Sequence, residues 1–238
     1  MPDVQNRVVL INGATGGLGP AVVRVFANDG CMLALTARKQ DELDQTATTL
    51  GLAPDRTLLL PTDLTDPDAV EQMVQRVYDY TGRIDAVAHV TGGFSGGVPV
   101  AEIDPQAWYA MLNLNLSAAF LVARFVLPIM LKQAYGQLVF VSSRSPRQPA
   151  ANLSEYTVSK GGLDVLVQVL AQETRQHGIN VNAVAPSVID TEANRRFNPD
   201  ADYTHWVTPE SIAGVIHFLT SAAARDIHGA IIPIYGRA

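Results

Sequence analysis

At 238 residues and 47% hydrophobic, the chain can bury a large core, as one α/β domain or as two small ones. Its 17 basic and 23 acidic residues leave a formal charge of −6, which excludes a surface made for nucleic acid or an anionic membrane. Cys31 is the sole cysteine, so the chain holds no internal disulfide and no multi-cysteine zinc site; its 5 histidines lack metal-ligand spacing, and the composition suits a reducing cytoplasm.

The first informative stretch is VLINGATGGLGPAVV, in which an apolar run passes through Gly13, Gly16, Gly17 and Gly19 into a helical pattern over 18–28. Glycine permits positive φ and close approach of the backbone, so the stretch suits a tight strand-to-helix turn. Exposed amides and the positive end of the helix dipole favour a phosphate there. A bare turn would satisfy the same GxxxGxG spacing. Apolar runs rich in β-branched residues then recur as MLALT, TLLLP, IDAVAHV, QLVFVS, INVNAVA and AIIPI, each reading as a buried parallel strand. Helical patterns fill the gaps near 40–50, 67–80, 105–133, 155–177 and 209–223. This alternation predicts a doubly wound α/β sheet with right-handed crossovers, whose ligands lie at the carboxyl ends of the strands. The most apolar stretch, AAFLVARFVLPIML, is interrupted by Arg124 and Pro128, and the opening MPDVQNR lacks a basic run before an apolar one. Neither a membrane span nor a targeting segment is expected. The irregular stretch 187–208 is too long for a simple connection and reads as a lid.

The second informative stretch is NLSEYTVSKGGLDVLVQVL. Asn152 with Glu155 resembles a capping box, and Leu163, Leu166, Val167 and Leu170 fall at helical spacing, so a helix is expected from about Leu153. Tyr156 and Lys160 then share one face. A phenol ordinarily loses its proton near pH 10, and a cation one turn away stabilises the phenolate. A plain surface Tyr/Lys pair would read the same way.

NGATGGLG followed well downstream by YTVSK, in an α/β chain of this length, resembles the short-chain dehydrogenase/reductase family over nearly the whole chain. The likeness is carried by Gly13, Gly17 and Gly19, by TDL at 62–64, NLS at 115–117 and SS at 142–143, by YTVSK itself, and by NAVAPSVIDT at 182–191. It implies a single Rossmann-type domain over 1–238, with helices on both faces of a seven-stranded, mostly parallel sheet in the order 3-2-1-4-5-6-7. It further implies that Tyr156 is the acid/base for a carbonyl or alcohol oxygen, and that Ser143, with Ser142 as alternative, hydrogen-bonds that oxygen. Lys160 would lower the Tyr156 pKa and bind the nicotinamide ribose. Asn115, with Asn113 as rival, would hold a water linking Lys160 to solvent. Thr15, Gly16 and Leu18 complete the phosphate turn, Asp63 and Leu64 meet the adenine, Gly92 lets the backbone approach the cofactor, and Pro186, Val188, Ile189 and Thr191 lie around the carboxamide.

Three positions depart from the family pattern. The usual NNAG is HVTG at 89–92, which replaces a sheet-bracing Asn by His89, expected to be structural; the usual PG is Pro186–Ser187; and the opening Thr of the glycine motif is Asn12, expected to make similar turn hydrogen bonds. The acidic residue with which NAD enzymes of this fold bind the ribose 2′-hydroxyl is replaced by Ala37, with Arg38 and Lys39 after it. NADP(H) is therefore preferred, with NAD(H) possible because neither Thr15 nor Gly16 is basic. The expected activity is reduction of a ketone or 3-oxoacyl carbonyl. A dihydropteridine-reductase-like enzyme is an alternative, because TEANRRFNPDADYTHWVTPESIA and GGFSGG resemble that branch, although Ser143 does not. A dinucleotide sensor without catalysis is a second alternative. Arg144, Arg147, Arg195 and Arg196 could recognise a carboxylate or phosphate, or be solvated surface. The resemblance also implies a homotetramer, or a homodimer, packed through helices over 105–133 and 155–177.

Overall fold

A computed structural model describes residues 7–237. The seven apolar runs form β1 (Val8–Asn12), β2 (Met32–Ala37), β3 (Thr57–Pro61), β4 (Ala86–His89), β5 (Gly136–Val141), β6 (Ile179–Pro186) and β7 (Ile231–Ile234). They hydrogen-bond in the order β3-β2-β1-β4-β5-β6-β7, as the resemblance implies. Each of these pairings is parallel, so the sheet is wholly rather than mostly parallel.

Successive residues of a strand face opposite sides, and a parallel sheet must be covered on both. In β1, Val8 and Leu10 enter one core while Val9 and Ile11 enter the other. The first core is closed by α3 (Pro67–Thr81), α5 (Ala118–Gln133) and α6 (Ser154–Thr174); the second by α1 (Gly19–Asn28), α2 (Gln40–Leu50) and α8 (Pro209–Leu219). The strand order reverses between β1 and β4, and there the carboxyl ends of the strands leave a crevice.

The run expected as one helix over 105–133 is α4 (Pro105–Leu112), a π-helical turn at Asn113–Ser117, and α5. Pro128 lies inside α5 without ending it. By length and composition Pro105–Gln133 could cross a membrane, so Arg124 and Pro128 do not interrupt it as expected; here Val122, Val126 and Met130 are buried against the sheet.

The capping box expected at Asn152 and Glu155 does not form. Asn152 has a left-handed φ of 64°, and α6 begins at Ser154 behind Leu153 with no side-chain cap. Glu155 instead turns inward, where its carboxylate accepts a hydrogen bond from Ser95 Oγ at 2.9 Å. Segment 187–208 is more regular than its sequence pattern suggests: it holds α7 (Glu192–Phe197), a 3₁₀ turn at Tyr203–His205 and a parallel bridge between Ile189 and Val207. The opening MPDVQN, read above for targeting, lies outside the described residues.

Candidate active site

The glycine turn joins β1 to α1. Gly13 takes a φ of 81° beside Thr91, and a Cβ on Gly19 would come within 2.3 Å of the Ala14 carbonyl oxygen, so α1 can start this close to the turn only with glycine. Backbone bonds from Gly16 N to Gly13 O and from Gly19 N to Gly16 O shape the turn. Leu18 precedes α1 without a side-chain cap, and no acidic residue sits in the first turn, which leaves the helix N-terminus fit for an anion. Gly17 touches Thr191, where a Cβ would lie 2.8 Å from the Thr191 methyl group, so the segment after β6 closes on the phosphate turn.

Asn12 does not make the expected turn bonds. Its Oδ1 accepts from Thr36 Oγ1 at 3.1 Å and its Nδ2 lies 3.2 Å from His89 Nδ1, which ties β1 to both neighbours. His89 is buried on the Phe140 ring, and burial, helped by the Lys160 charge, lowers its pKa to about 3. A neutral imidazole accepting at Nδ1 is thus a sheet brace, as expected of a structural histidine.

On the other side of the crevice, Ser143 follows β5, and Tyr156 and Lys160 lie one turn apart on α6. Ser143, rather than Ser142, meets the Tyr156 hydroxyl, while the Ser142 hydroxyl is turned to the Asp164 carboxylate, whose pKa it lowers. Burial raises the Tyr156 pKa, and the Ser143 hydrogen bond opposes it. Lys160 is almost wholly buried and donates to the Val141 carbonyl at 2.8 Å. Burial lowers its pKa to about 8, with the Asp164 carboxylate pulling the other way.

Asn115 sits in the π-helical turn, a local widening that often marks functional positions. Its Oδ1 accepts from Gly93 N at 2.9 Å, while Nδ2 donates to Gly93 O at 3.1 Å and Ser159 Oγ at 3.0 Å. Asn113 only accepts from Ser117 Oγ at 3.3 Å. A Cβ on Gly92 would lie 2.9 Å from both Asn115 Oδ1 and Lys160 Nζ, so glycine is what lets these three groups meet.

At the end of β2, Ala37 is buried and Arg38 is exposed just beyond it. The Asp63 carboxyl is held below its ordinary pKa mainly by the Thr65 amide and hydroxyl, with a smaller contribution from Arg38. Lys39 is bound to Glu42 at 2.9 Å, and the other Glu42 oxygen accepts from Thr15 Oγ1 at 3.3 Å. Of the two cations named from sequence, Lys39 is held by Glu42, whereas the Arg38 charge acts on both Glu42 and Asp63 and lowers the pKa of each. Leu64 is buried behind Asp63, and Pro186, Val188 and Ile189 lead from β6 to Thr191, which caps α7 by accepting from Asn194 N.

The arginines meet groups of this chain, with Arg195 and Arg196 at the exposed surface. Arg147 pairs with Asp164 at 3.3 Å, Arg195 with Asp190 at 2.5 Å, and Arg196 with Glu192; Arg144 lies over the Tyr235 ring. Sequence reasoning missed Asp164, whose spacing of one turn from Lys160 was the available signal, and Phe94, whose ring stands 5.0 Å edge-on to Tyr156.

A glycine turn at an uncapped helix N-terminus, opposite a Ser-Tyr-Lys set at the strand ends, defines a dinucleotide-dependent α/β oxidoreductase. The short chain dehydrogenase family model matches residues 7–202, and the chain belongs to the short-chain dehydrogenase/reductase family as an NAD(P)-dependent enzyme. It is 29% identical to the 3-oxoacyl-[acyl-carrier-protein] reductase FabG of Thermotoga maritima, covering 98% of both chains. It is 30% identical to the uncharacterized oxidoreductase YciK of Escherichia coli, over 88% of this chain and 84% of that one. Among solved structures, a short-chain type dehydrogenase/reductase from Mycobacterium ulcerans superposes with a TM-score of 0.92 at 26% identity, covering 97% of this chain and 89% of that one.

The depressed Lys160 pKa has a consequence for stability. Below about pH 8 both folded and unfolded chains hold the proton; between there and the ordinary 10.5 the folded chain has released it and the unfolded chain has not. The stability of the wild type relative to Lys160→Met should therefore rise from pH 8 towards 10.5. Thermal denaturation across that range reads the difference, and a pH-independent gap between the two proteins would refute the assignment.

Proposed function

We propose that the chain is an NADP(H)-dependent carbonyl reductase that converts a ketone or 3-oxoacyl group to the alcohol. The observation that carries this reading is the convergence of Ser143 on Tyr156, one helical turn from the buried Lys160. The nicotinamide, when bound, supplies the hydride. Tyr156 donates its proton to the carbonyl oxygen, and burial keeps the phenol protonated at neutral pH, the state a donor needs. Ser143 Oγ donates a second hydrogen bond to that oxygen. Lys160, with a pKa near 8, holds the ribose and can return a proton to the phenolate. Asn115 binds Gly93 and Ser159 and so fixes the loop after β4 against α6. Segment 187–208 acts as the lid, resting on the phosphate turn through Thr191.

For the cofactor, Gly13, Thr15, Gly16, Gly17, Leu18 and Gly19 would hold the pyrophosphate and Arg38 the 2′-phosphate, with Asp63 at the adenine. For assembly, α4, α5 and α6 turn Tyr109, Phe120, Leu131, Val158, Val165 and Val169 outward, which favours a homotetramer, or a homodimer, built on these helices.

Tyr156→Phe should lower turnover by about 10²–10⁴-fold while leaving cofactor affinity intact; wild-type turnover in that variant would remove Tyr156 from the mechanism. NADPH should be preferred over NADH by about 10–100-fold in kcat/KM, the worth of one charge-assisted hydrogen bond, and Ala37→Asp with Arg38→Ala should reverse it. Equal values for both coenzymes in the wild type would end the NADP assignment. A stable monomer in sedimentation at micromolar concentration would exclude the helix-mediated assembly.

A further inference from the structure

Phe94 and Phe197 come from distant parts of the chain and meet at the mouth of the site. Phe94 lies in GGFSGG after β4, and its ring stands 5.0 Å from that of Tyr156 at an interplanar angle of 70°. Phe197 is the last residue of α7, and its ring stands 6.0 Å from that of Phe94 at 76°. Both are exposed, Phe94 by 54% and Phe197 by 70%. Exposed single aromatics are ordinary, but two in edge contact beside the proton donor leave apolar ring faces turned towards the place where a carbonyl must sit.

The first ring is held firmly. Asn115 brackets Gly93, Ser95 Oγ donates to the buried Glu155, and Gly97 N donates to Asn152 O at 2.7 Å, so the loop is pinned to the π-helical turn before Phe94 and to the start of α6 after it. A Cβ on Gly96 would come within 2.2 Å of Leu153, which keeps that backbone close to the helix. The second ring rides on α7, whose Asn194 Nδ2 donates to Ile189 O at 2.8 Å.

The polar groups around this mouth do not invite an anion. Arg195 and Arg196 each face a carboxylate from the same segment, Asp190 and Glu192. Segment 187–208 carries Asp190, Glu192, Asp200 and Asp202 against those two arginines, an acidic surplus that disfavours a negatively charged carrier protein.

We propose that Phe94 and Phe197 form an aromatic clamp that makes the enzyme selective for carbonyl substrates bearing a planar apolar ring next to the reacting carbon, rather than for linear acyl chains on an acidic carrier. This rests on the carbonyl-reductase reading above. The substrate ring stacks on one phenylalanine and meets the other, which stands nearly perpendicular to it, edge to face; this orients the carbonyl oxygen towards Ser143 and Tyr156 and removes both side chains from water.

The test measures kcat/KM with NADPH for ethyl benzoylacetate and for acetoacetyl coenzyme A, in wild type, Phe197→Ala and Phe94→Leu. The wild type should favour the aryl substrate by about 10–100-fold, the range a well-filled apolar pocket discriminates, and each variant should collapse that ratio towards one. Phe197 does not touch Tyr156, so its ratio reads the clamp without disturbing the donor. A wild-type preference for the thioester, or an unchanged ratio in both variants, would overturn the clamp and leave the reductase reading standing. Failure of the wild type to reduce any carbonyl would instead sink the reductase reading. Calorimetric binding of benzamide to the NADPH complex then decides the clamp alone: affinity lost in Phe197→Ala supports it, and no binding to wild type overturns it.

Discussion

A buried ammonium organises this molecule. Lys160 is only 4% exposed, and taking a charge that far from water is unfavourable unless every neighbour compensates. The compensation comes from Val141 O on β5 and, one turn along α6, from the Asp164 carboxylate. Asp164 is itself held by Arg147 from the loop after β5. Strand, helix and loop are therefore locked in one relation, and Ser143 and Tyr156, carried by that loop and that helix, inherit their geometry from it. Burial acts on both titrating groups in the direction their proposed work requires: it keeps the phenol protonated, and it brings the lysine close enough to neutrality to give up a proton readily.

The second constraint is the closeness of backbones at the crevice. Gly13, Gly19 and Gly92 each stand where a methyl group would strike backbone or a functional side chain. These positions bring β1, β4 and α6 together, and the carboxyl ends of the strands then present a phosphate turn on one side and the Ser-Tyr-Lys set on the other. Asn115, in the π-helical turn, ties the loop after β4 to α6 through Gly93 and Ser159.

Much of the fold was legible because parallel strands buried on both faces leave continuous apolar runs, and all seven stood out in the sequence. The sheet order was not contained in those runs; it came from the family likeness. The helix read over 105–133 runs through Pro128 as expected, but the π-helical turn at Asn113–Ser117 that divides it leaves no mark in an unbroken apolar pattern. The capping box was misread because Glu155 has a stronger claim on it from Ser95, 60 residues away in sequence, which no local pattern can announce. The same reason hid the arginine pairings: spacing shows that a guanidinium is present, whereas its partner depends on how loops fold back. Phe94 and Phe197 belong to this group too, since only the tertiary structure brings a loop residue beside the phenol and a residue 103 positions on against that loop residue.

His89 shows how a departure from a family pattern can be absorbed. The asparagine usual at that position braces the sheet, and its loss would leave the centre of a parallel sheet with one polar tie fewer. In this chain the glycine motif also opens on Asn12 instead of threonine, and the two replacements meet across the β1–β4 pairing: Asn12 reaches His89 with its amide nitrogen and Thr36 with its oxygen. Two unusual residues thus form one brace spanning three strands. The brace works only with a neutral imidazole, and the same burial that isolates it, together with the Lys160 charge, drives its pKa to about 3 and so maintains that state throughout the neutral range. Burial foremost, with the Lys160 charge adding to it, therefore keeps the brace beneath α6 in a single protonation state.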